Sequence, residues 1–422
     1  MSQRVKPILV STWLAAVMAA AVILAAQAGV ASALSPLTVI ASGLDNPHGL
    51  AFAADGTLYI AESGSGGPGL CIPSAGDMYC YGDSGAISRV LPDGTQERVV
   101  SDLPSIAPQA PITNAGFASH GPFDVGFDAA GDLFVLTGLG ADPALRADLD
   151  PGGANLAQLI AVGAGGTWTP TLDIGAYETA NNPDNGAVDT NPYVMVPVAD
   201  GWALTDAGAN DLLHVDLANT ISTLAVFPTR TVEFPPGTPI PMDAVPTGVA
   251  QESGGDYLVG QLTGFPFPVD GANVYHVPAA GGTPTEVYTG FTNIVDVALA
   301  ADGTLYVLEI ATNSLLAGDG VGALIRVNSD GSQEIIASDG LVFPTALTLG
   351  PDGAIYVSNF GIFPIAAGGG QVVRISQTPT AVGLSDFDGQ AAPPWRWAVL
   401  ALALLPPALW LAGRRRWARP TA

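Results

Sequence analysis

The chain has 422 residues, of which 48% are hydrophobic and 12% are charged, and its formal net charge is −25 at pH 7. Such a high apolar and low charged content excludes intrinsic disorder and predicts a large hydrophobic core. The acidic balance excludes nucleic acid as a partner, because a strongly negative surface repels phosphate backbones. The 52 glycines and 35 prolines are scattered, which predicts many turns between short segments.

The first 33 residues have the three parts of a secretory signal peptide. Arg4 and Lys6 come first, a long apolar run follows, and small residues at 31–33 form a cleavage site. The apolar run is long for a signal, so an uncleaved membrane anchor is the alternative. In both cases we expect the chain that follows to lie outside the cytoplasm.

One phrase recurs six times between residues 34 and 378. Its copies are DGTLYIAES (55–63), GDLFVLTG (131–138), DGWALTDAG (200–208), GGDYLVGQLTG (254–264), DGTLYVLEI (302–310) and DGAIYVSNF (352–360). Each copy starts at a turn of Asp and Gly, which tight hairpins favour. An apolar strand precedes each turn, a third strand follows, and most units have a fourth.

Six units of four strands predict an all-β fold, a six-bladed β-propeller over residues 34–378. The alternative, a large all-β sandwich, predicts no such register between units. The fourth strand of unit 2 is the least clear and is predicted at 169–178. Unit 6 lacks a fourth strand, whereas LTVIASGL at 37–44 stands alone and resembles EIIASDGL at 334–341 of unit 5. We therefore expect the N-terminal strand to complete blade 6 and to close the ring.

Cys71 and Cys80 are the only two cysteines. An exported chain folds in an oxidising compartment, where cysteines usually pair. We therefore expect a disulfide between them that closes a small loop.

The C-terminal part has the pattern of a membrane anchor. Residues 379–394 are predicted to be a linker, and residues 395–413 a transmembrane segment with the apolar stretch WAVLALALLPPALWLAG. Arginines follow at once, and positive residues stay on the cytoplasmic side, so residues 414–422 are predicted to be a cytoplasmic tail. The propeller would then be extracytoplasmic, at the cell surface or membrane, and tethered by its C-terminus.

Several stretches resemble known families. PHGLAFAADGTLYIAE at 47–62 is similar to NHL repeats. A longer set resembles the ScyD/ScyE family, which is named for its link to scytonemin biosynthesis: CIPSAGDMYCYGDSGAISRV, AYETANNPDNGAVDTNPY, LTGFPFPV, GFTNIVDVALAADGTLYVLEIA and GGGQVVRI. This resemblance covers residues 40–376 and implies a secreted propeller.

The repeats also align one polar position. Three residues after the aromatic position of the second strand, every unit has an oxygen-bearing side chain: Glu62, Thr137, Asp206, Gln261, Glu309 and Asn359. Because first and second strands are antiparallel, we expect these side chains to form a ring at the channel mouth, on the face with the long loops. Glu62, Asp206 and Glu309 are predicted ligands of Ca²⁺ or another divalent cation, since Ca²⁺ takes six to eight oxygens. The alternative is that the ring only satisfies strand-end backbone groups and ordered water.

The same face should carry further candidates. His120 and Asp124, in SHGPFD, are candidates for proton transfer. The loop YETANNPDNGAVDTNPY at 177–193 could bind Ca²⁺ by itself, although Asp and Asn are also common in turns. His214 and His276 fall in third strands and are expected to be packed or peripheral.

Two functions are compatible with these patterns. The first is a binding or scaffold propeller of the ScyD/ScyE type that recognises a small molecule, a glycan or a protein on its loop-rich face. The alternative is a divalent-metal-dependent hydrolase or lactonase resembling the gluconolactonase group of six-bladed propellers. There a ring metal would polarise a carbonyl, and His120 or a carboxylate would move protons. The sequence has no nucleophile elbow, P-loop or His-Glu-x-x-His motif.

Overall fold

The structure is a computed structural model that describes residues 36–74, 76–109, 116–362 and 368–376. The predicted signal peptide, linker, transmembrane segment and tail lie outside these residues. No helix within the described ranges has the length and apolar character that crossing a bilayer requires.

The first strand along the chain, β1 (Leu37–Leu44), belongs to the last blade. Blade 1 contains β2 (Pro47–Phe52), β3 (Leu58–Glu62), β5 (Asp77–Val90) and β6 (Gln96–Pro108), with the short β4 (Cys71–Ser74) paired to β5. Blade 2 contains β7 (Pro122–Phe127), β8 (Leu133–Thr137), β9 (Gln158–Val162) and β10 (Trp168–Asp173). Blade 3 contains β11 (Pro192–Val198), β12 (Gly201–Asp206), β13 (Asp211–Asp216) and β14 (Ile221–Val226).

A two-stranded hairpin, β15 (Arg230–Glu233) and β16 (Pro239–Met242), stands between blades 3 and 4. Blade 4 contains β17 (Pro246–Gln251), β18 (Tyr257–Gln261), β19 (Ala272–Val277) and β20 (Thr285–Phe291). Blade 5 contains β21 (Ile294–Leu299), β22 (Leu305–Glu309), β23 (Ala323–Val327) and β24 (Gln333–Ala337). Blade 6 contains β25 (Ala346–Leu349), β26 (Ile355–Asn359), β27 (Gly370–Ile375) and β1.

The six sheets form a closed ring. The first strand of each blade contacts the first strand of the next, and β25 of blade 6 contacts β2 of blade 1. The six-bladed propeller predicted from the repeats is therefore confirmed. Strands are apolar on both faces because neighbouring blades pack face to face, as where Val297 and Leu305 of blade 5 meet Ala250 and Val274 of blade 4.

The N-terminal strand closes the ring as predicted. β1 pairs antiparallel with β27, from Leu37 opposite Ile375 to Leu44 opposite Gly370. Ala41 and Leu44 of β1 are buried, and their side chains join a core cluster that includes Leu50, Leu58 and Ile60 of blade 1. β1 therefore pairs with blade 6 and packs against blade 1.

The repeated Asp-Gly turns have the local chemistry that the sequence predicts. The Asp55 carboxylate accepts a hydrogen bond from the Thr57 amide at 2.9 Å, and Asp302 accepts one from Thr304 at the same distance. Gly303 has φ 87°, a left-handed conformation that glycine adopts without steric cost.

The fourth strand of blade 2 is shorter than predicted. It ends at Asp173, and residues 174–178 lie in a helix instead, α1 (Ile174–Asn181). The Asp173 side chain accepts a hydrogen bond from the Ala176 amide at 2.8 Å. This contact caps a helix and so ends the strand.

The predicted disulfide is confirmed. Cys71 of β4 lies opposite Cys80 of β5, and their sulfur atoms are bonded. β5 and β6 extend beyond the other blades' third and fourth strands, so the disulfide joins β4 to a long arm of blade 1.

Candidate functional site

In four of the six blades, the polar residue that ends the repeated phrase accepts a hydrogen bond from the loop leading into its own blade. Glu62 accepts one from the Asp45 amide at 2.8 Å, and Glu309 accepts one from the Thr292 amide at 2.7 Å. Asn359 accepts the equivalent bond at 2.7 Å, and in all three cases the donor lies 17 residues before the acceptor. The repeated carboxylate therefore satisfies a strand-end backbone group, as one of the two interpretations of the ring expects.

Asp206 of blade 3 makes the same kind of contact with more donors. One of its oxygens accepts hydrogen bonds from the amides of Asn191, Gly208 and Ala209 at 2.6–3.1 Å. The other accepts one from the Thr190 hydroxyl. Asp206 is fully buried, so these bonds fix the loop that leads into blade 3.

The remaining two ring positions also bond within their own part of the fold. Gln261 donates to the Ala244 carbonyl at 3.2 Å, and the Thr137 hydroxyl donates to the Asn155 carbonyl at 2.9 Å. In the part of the chain that the structure describes, no group of three metal-ligating side chains with ligand atoms within 4.8 Å includes Glu62, Asp206 or Glu309. A metal bound by the ring stays a prediction, and these contacts do not bring its carboxylates together.

The buried position of Glu309 predicts a measurable pH dependence. Burial raises the pKa of Glu309 from about 4.5 to about 7, against the hydrogen bond from the Thr292 amide, which lowers it. Because the folded pKa is raised, folding favours the protonated carboxyl. Its contribution to stability is complete below about pH 4.5 and is lost as the pH rises through about 7.

We therefore expect Glu309→Gln to flatten the dependence of the unfolding free energy on pH between about 4.5 and 7. At pH 8 the variant should be more stable by about 2 kcal/mol, since Gln keeps the acceptor without the buried charge. Chemical denaturation at a series of pH values measures this. Glu97→Gln, an exposed carboxylate of blade 1, is the control, and an equal flattening in both variants contradicts the prediction.

The central channel contains a cavity of about 450 Å³ that is lined by the first strands of all six blades. In blade 1 the residues that line the cavity begin at Gly49, and the preceding residue, His48, does not line it. His48, Phe123 and Tyr193 contact one another, with ring centroids 4.5–5.9 Å apart, at the start of the first strands of blades 1 to 3. The three rings therefore lie at the strand ends next to the loop-rich face, where the sequence predicts the channel mouth.

The two candidates for proton transfer, His120 and Asp124, both make structural contacts within the fold. His120 stacks near Tyr79 and Phe123, with centroid distances of 5.1 and 5.6 Å, and burial lowers its pKa to about 4. Asp124 accepts a hydrogen bond from the Met195 amide in the first strand of blade 3 at 2.8 Å. Burial raises the pKa of Asp124. The Asp124 side chain therefore joins blades 2 and 3.

The same hydrogen bond from an aspartate to the next blade's first strand recurs three blades further round the ring. Asp296 of blade 5 accepts a hydrogen bond from the Leu347 amide of blade 6 at 2.8 Å. A Cβ at Gly49 would lie 1.9 Å from an oxygen of Asp124, and one at Gly248 would lie 2.7 Å from the Cα of Asp296. The Gly–Asp pair is thus a repeated structural contact between neighbouring first strands.

Beside blade 3, a group of mostly acidic side chains lacks hydrogen-bond partners of this kind among the described residues. Glu178 in α1 and Asp211 at the start of β13 are 2% and 1% exposed. Among the described residues, neither oxygen of either side chain has a hydrogen-bond partner, and the same is true of one oxygen of Asp189 and of the Asn182 side-chain oxygen. We call Glu178, Asn182, Asp189 and Asp211 the acidic cluster.

Electrostatics in the acidic cluster are unfavourable. Burial and then repulsion from Asp206 raise the pKa of Glu178 to about 7 and that of Asp189 to about 7. The same causes raise the pKa of Asp211 well above its usual range. The sequence pattern indicates the 177–193 loop but not Asp211. The available signal was an acidic residue directly opposite the ring position Asp206, where blades 1 and 5 have alanine.

The two third-strand histidines lie near the turns at the other face. His276 lies 3.0 Å from Asp256 and 3.6 Å from Glu252, and these three form a compact group that could hold a metal ion. His214 lies 3.1 Å from Asp200, and within the described ranges no third ligand joins this pair. Both histidines are partly exposed, in agreement with the expected peripheral position.

No protein-family model matches the chain, and no curated protein matches it either. Solved structures do resemble it. A gluconolactonase from Xanthomonas campestris is 11% identical with a TM-score of 0.49, over 83% of this chain and 93% of that one. A calcium-binding protein, regucalcin, from Agrobacterium tumefaciens is 14% identical with a TM-score of 0.46, over 81% and 94%. At these values the similarity says nothing about what this chain binds or catalyses.

Proposed function

We propose that this chain is a protein-binding module that uses an aromatic platform on its loop-rich face. The platform consists of Phe234 at the tip of the β15–β16 hairpin and of Phe265, Phe267 and Val269 in the loop between β18 and β19. The Phe234 and Phe265 rings meet edge to face at 4.9 Å, and Phe265 lies 6.4 Å from Phe267. Phe234, Phe265 and Val269 remain 40%, 50% and 55% exposed. Contiguous exposed apolar groups of this kind usually mark an interaction surface.

Hydrogen bonds hold the two halves of the platform together. Arg230 of the hairpin donates to Gln261 at 3.2 Å and to the Gly271 carbonyl, at the two ends of the loop. Asp243, just after the hairpin, accepts hydrogen bonds from Thr229 at 3.0 Å and, through its carbonyl, from the Gly264 amide at 2.9 Å. The platform is therefore preorganised, which reduces the entropic cost of binding.

The charge around the platform favours a basic partner. Glu233, Asp243 and Asp270 are exposed beside it, and the chain carries a formal net charge of −25. A second copy would be repelled by the same charge, so self-association is disfavoured. We infer that the partner offers an apolar or aromatic contact within a basic surface, because the phenylalanine rings also attract cations.

Selection of a phage-displayed random peptide library against the full-length chain tests this function. Enriched peptides should combine Lys or Arg with apolar residues, and salt should weaken their binding. The double variant Phe234→Ala/Phe265→Ala should bind them at least tenfold more weakly, since aromatic anchors dominate such interfaces. Leu217→Ala is the control, because Leu217 is 81% exposed and stands on a turn of blade 3. Acidic consensus peptides, or equal binding to the double variant, would contradict the proposal.

A divalent-metal-dependent hydrolase or lactonase is the second candidate. One observation favours it, namely that Asp124 and Asp296 are buried carboxylates that line the central cavity. Their oxygens already accept backbone N–H groups, and within the described ranges no third ligand joins them, so these residues do not fit a resident metal. Hydrolysis of a δ-lactone by the full-length chain, abolished by EDTA and by Asp124→Asn, would favour this function over the binding module.

A further inference from the structure

The acidic cluster joins three separate parts of the fold. Glu178 comes from α1, which follows blade 2, and Asn182 and Asp189 come from the loop that connects α1 to blade 3. Asp211 comes from the first position of β13, within blade 3. None of its residues belongs to the aromatic platform.

The oxygens of the cluster are buried without compensation. The carboxylates of Glu178 and Asp211 are each more than nine-tenths buried. Neither has a hydrogen-bond partner among the described residues. With one oxygen of Asp189 and one of Asn182, six side-chain oxygens lack a hydrogen-bond partner in the described part of the chain. A buried carboxylate without a partner costs several kcal/mol, so such groups normally pair with a cation or with donors.

The described part of the chain supplies no cation to the cluster. Among the described residues, no arginine or histidine forms an ion pair with Glu178, Asp189 or Asp211. Arg146, which packs beside the start of α1, pairs with Asp173 at 3.0 Å. The sequence contains a single lysine, Lys6, in the predicted signal peptide. Elsewhere the chain does pair a fully buried carboxylate, since Glu62 lies 2.6 Å from Arg98.

We propose that the acidic cluster is a Ca²⁺ site. All of its unpaired atoms are oxygens, which favours a hard cation over Zn²⁺. Six oxygens match the lower end of the coordination number of Ca²⁺, and their mixture of carboxylates and an amide carbonyl is typical of its sites. Mg²⁺ is less well suited, because it usually keeps several waters and needs a strict octahedron.

Binding requires a small closure of the 182–189 loop. Ca²⁺ holds its ligand oxygens 2.3–2.6 Å away, so all of them lie within about 5 Å of one another. Glu178, Asp189 and Asp211 do not form a group of three with ligand atoms within 4.8 Å in the described part of the chain. One side of the loop is already fixed, because Asp184 accepts a hydrogen bond from Asn210 at 3.0 Å. Ca²⁺ would then draw Asp189 toward α1 and β13.

Calorimetric titration of the metal-stripped full-length chain tests the site. We expect one Ca²⁺ per chain, with Mg²⁺ and Zn²⁺ each binding at least tenfold more weakly, and a higher melting temperature with Ca²⁺. Glu178→Gln and Asp211→Asn should each weaken Ca²⁺ binding at least tenfold. Without Ca²⁺, the same two variants should melt at a higher temperature than the unchanged chain, because each removes a repelling charge. A merely structural role would not produce this reversal of stability.

Two control variants distinguish the cluster from the other acidic groups. Glu309→Gln alters the predicted ring, and Glu252→Gln alters the group at His276. Both should bind Ca²⁺ as the unchanged chain does. The proposal is overturned if Ca²⁺ does not bind, if Glu178→Gln and Asp211→Asn leave its affinity unchanged, or if a control variant weakens it as much.

Discussion

Deletion of β1, residues 37–44, is expected to lower the free energy of unfolding by on the order of 5 kcal/mol and to cause aggregation. β1 supplies the outer strand of blade 6, and its buried Ala41 and Leu44 and half-buried Leu37 and Ile40 pack against neighbouring strands. Burying each large aliphatic side chain contributes about 1.5–3 kcal/mol. The deletion also leaves β27 as an exposed edge, which is a template for pairing between chains.

Thermal unfolding and light scattering measure both effects. Deletion of eight residues from the predicted linker, 381–388, is the matched control and should leave the melting temperature within a few degrees of the unchanged chain. Equal stability of the two deletions would show that β1 does not hold the ring closed.

Arg98→Met is expected to destabilise the fold by about 3 kcal/mol, the usual cost of removing one partner from a buried ion pair. Glu62 is fully buried, and Arg98, whose side chain is 39% exposed, is its cationic partner at 2.6 Å. The remaining donors to Glu62 are the Ser88 hydroxyl at 2.6 Å and the Asp45 amide at 2.8 Å. These neutral donors cannot balance a buried charge.

A double-mutant cycle isolates this effect. Adding Glu62→Gln to Arg98→Met should restore most of the lost stability, because Gln accepts the same hydrogen bonds without charge. The matched control is Arg89→Met in the same blade. Its side chain is 33% exposed, similar to that of Arg98, but its partner Glu97 is 44% exposed, so the cost should stay within about 1 kcal/mol. Chemical denaturation measures Arg98→Met, Glu62→Gln, their double variant and Arg89→Met. Similar losses for Arg98→Met and Arg89→Met would contradict this prediction.

The fold was accessible from the sequence because its signals are local. Each blade repeats an apolar strand, a turn such as Asp55-Gly56 and a second strand, and these depend on backbone conformation within a few residues. The missing fourth strand of unit 6 and the isolated LTVIASGL at 37–44 then required closure by the N-terminus. The error at 174–178 has an equally local cause, since the Asp173 side chain caps a helix where the apolar pattern also suits a strand.

The role of the repeated carboxylate depended on a contact that the sequence does not show. The pattern places Glu62 and Glu309 at the ends of equivalent strands, and both a channel-facing ring and a strand-end acceptor fit that placement. The choice rests on the amides of Asp45 and Thr292, each 17 residues earlier. Their positions depend on how the connecting loops pack, and not on the strand pattern itself.

The sequence by itself determined the number of blades, the closure by β1 and the disulfide. Turn chemistry and strand periodicity act over short distances and so reveal the blades, and Cys71 and Cys80 are the only two cysteines. Only the tertiary structure brought Glu178 next to Asp211, 33 residues later in the chain. Only the tertiary structure also removed both side chains from water while it placed Arg146 on Asp173 instead. The free energy of a charge is set by its burial and by the sign of its neighbours, and both are properties of the packed loops and blades.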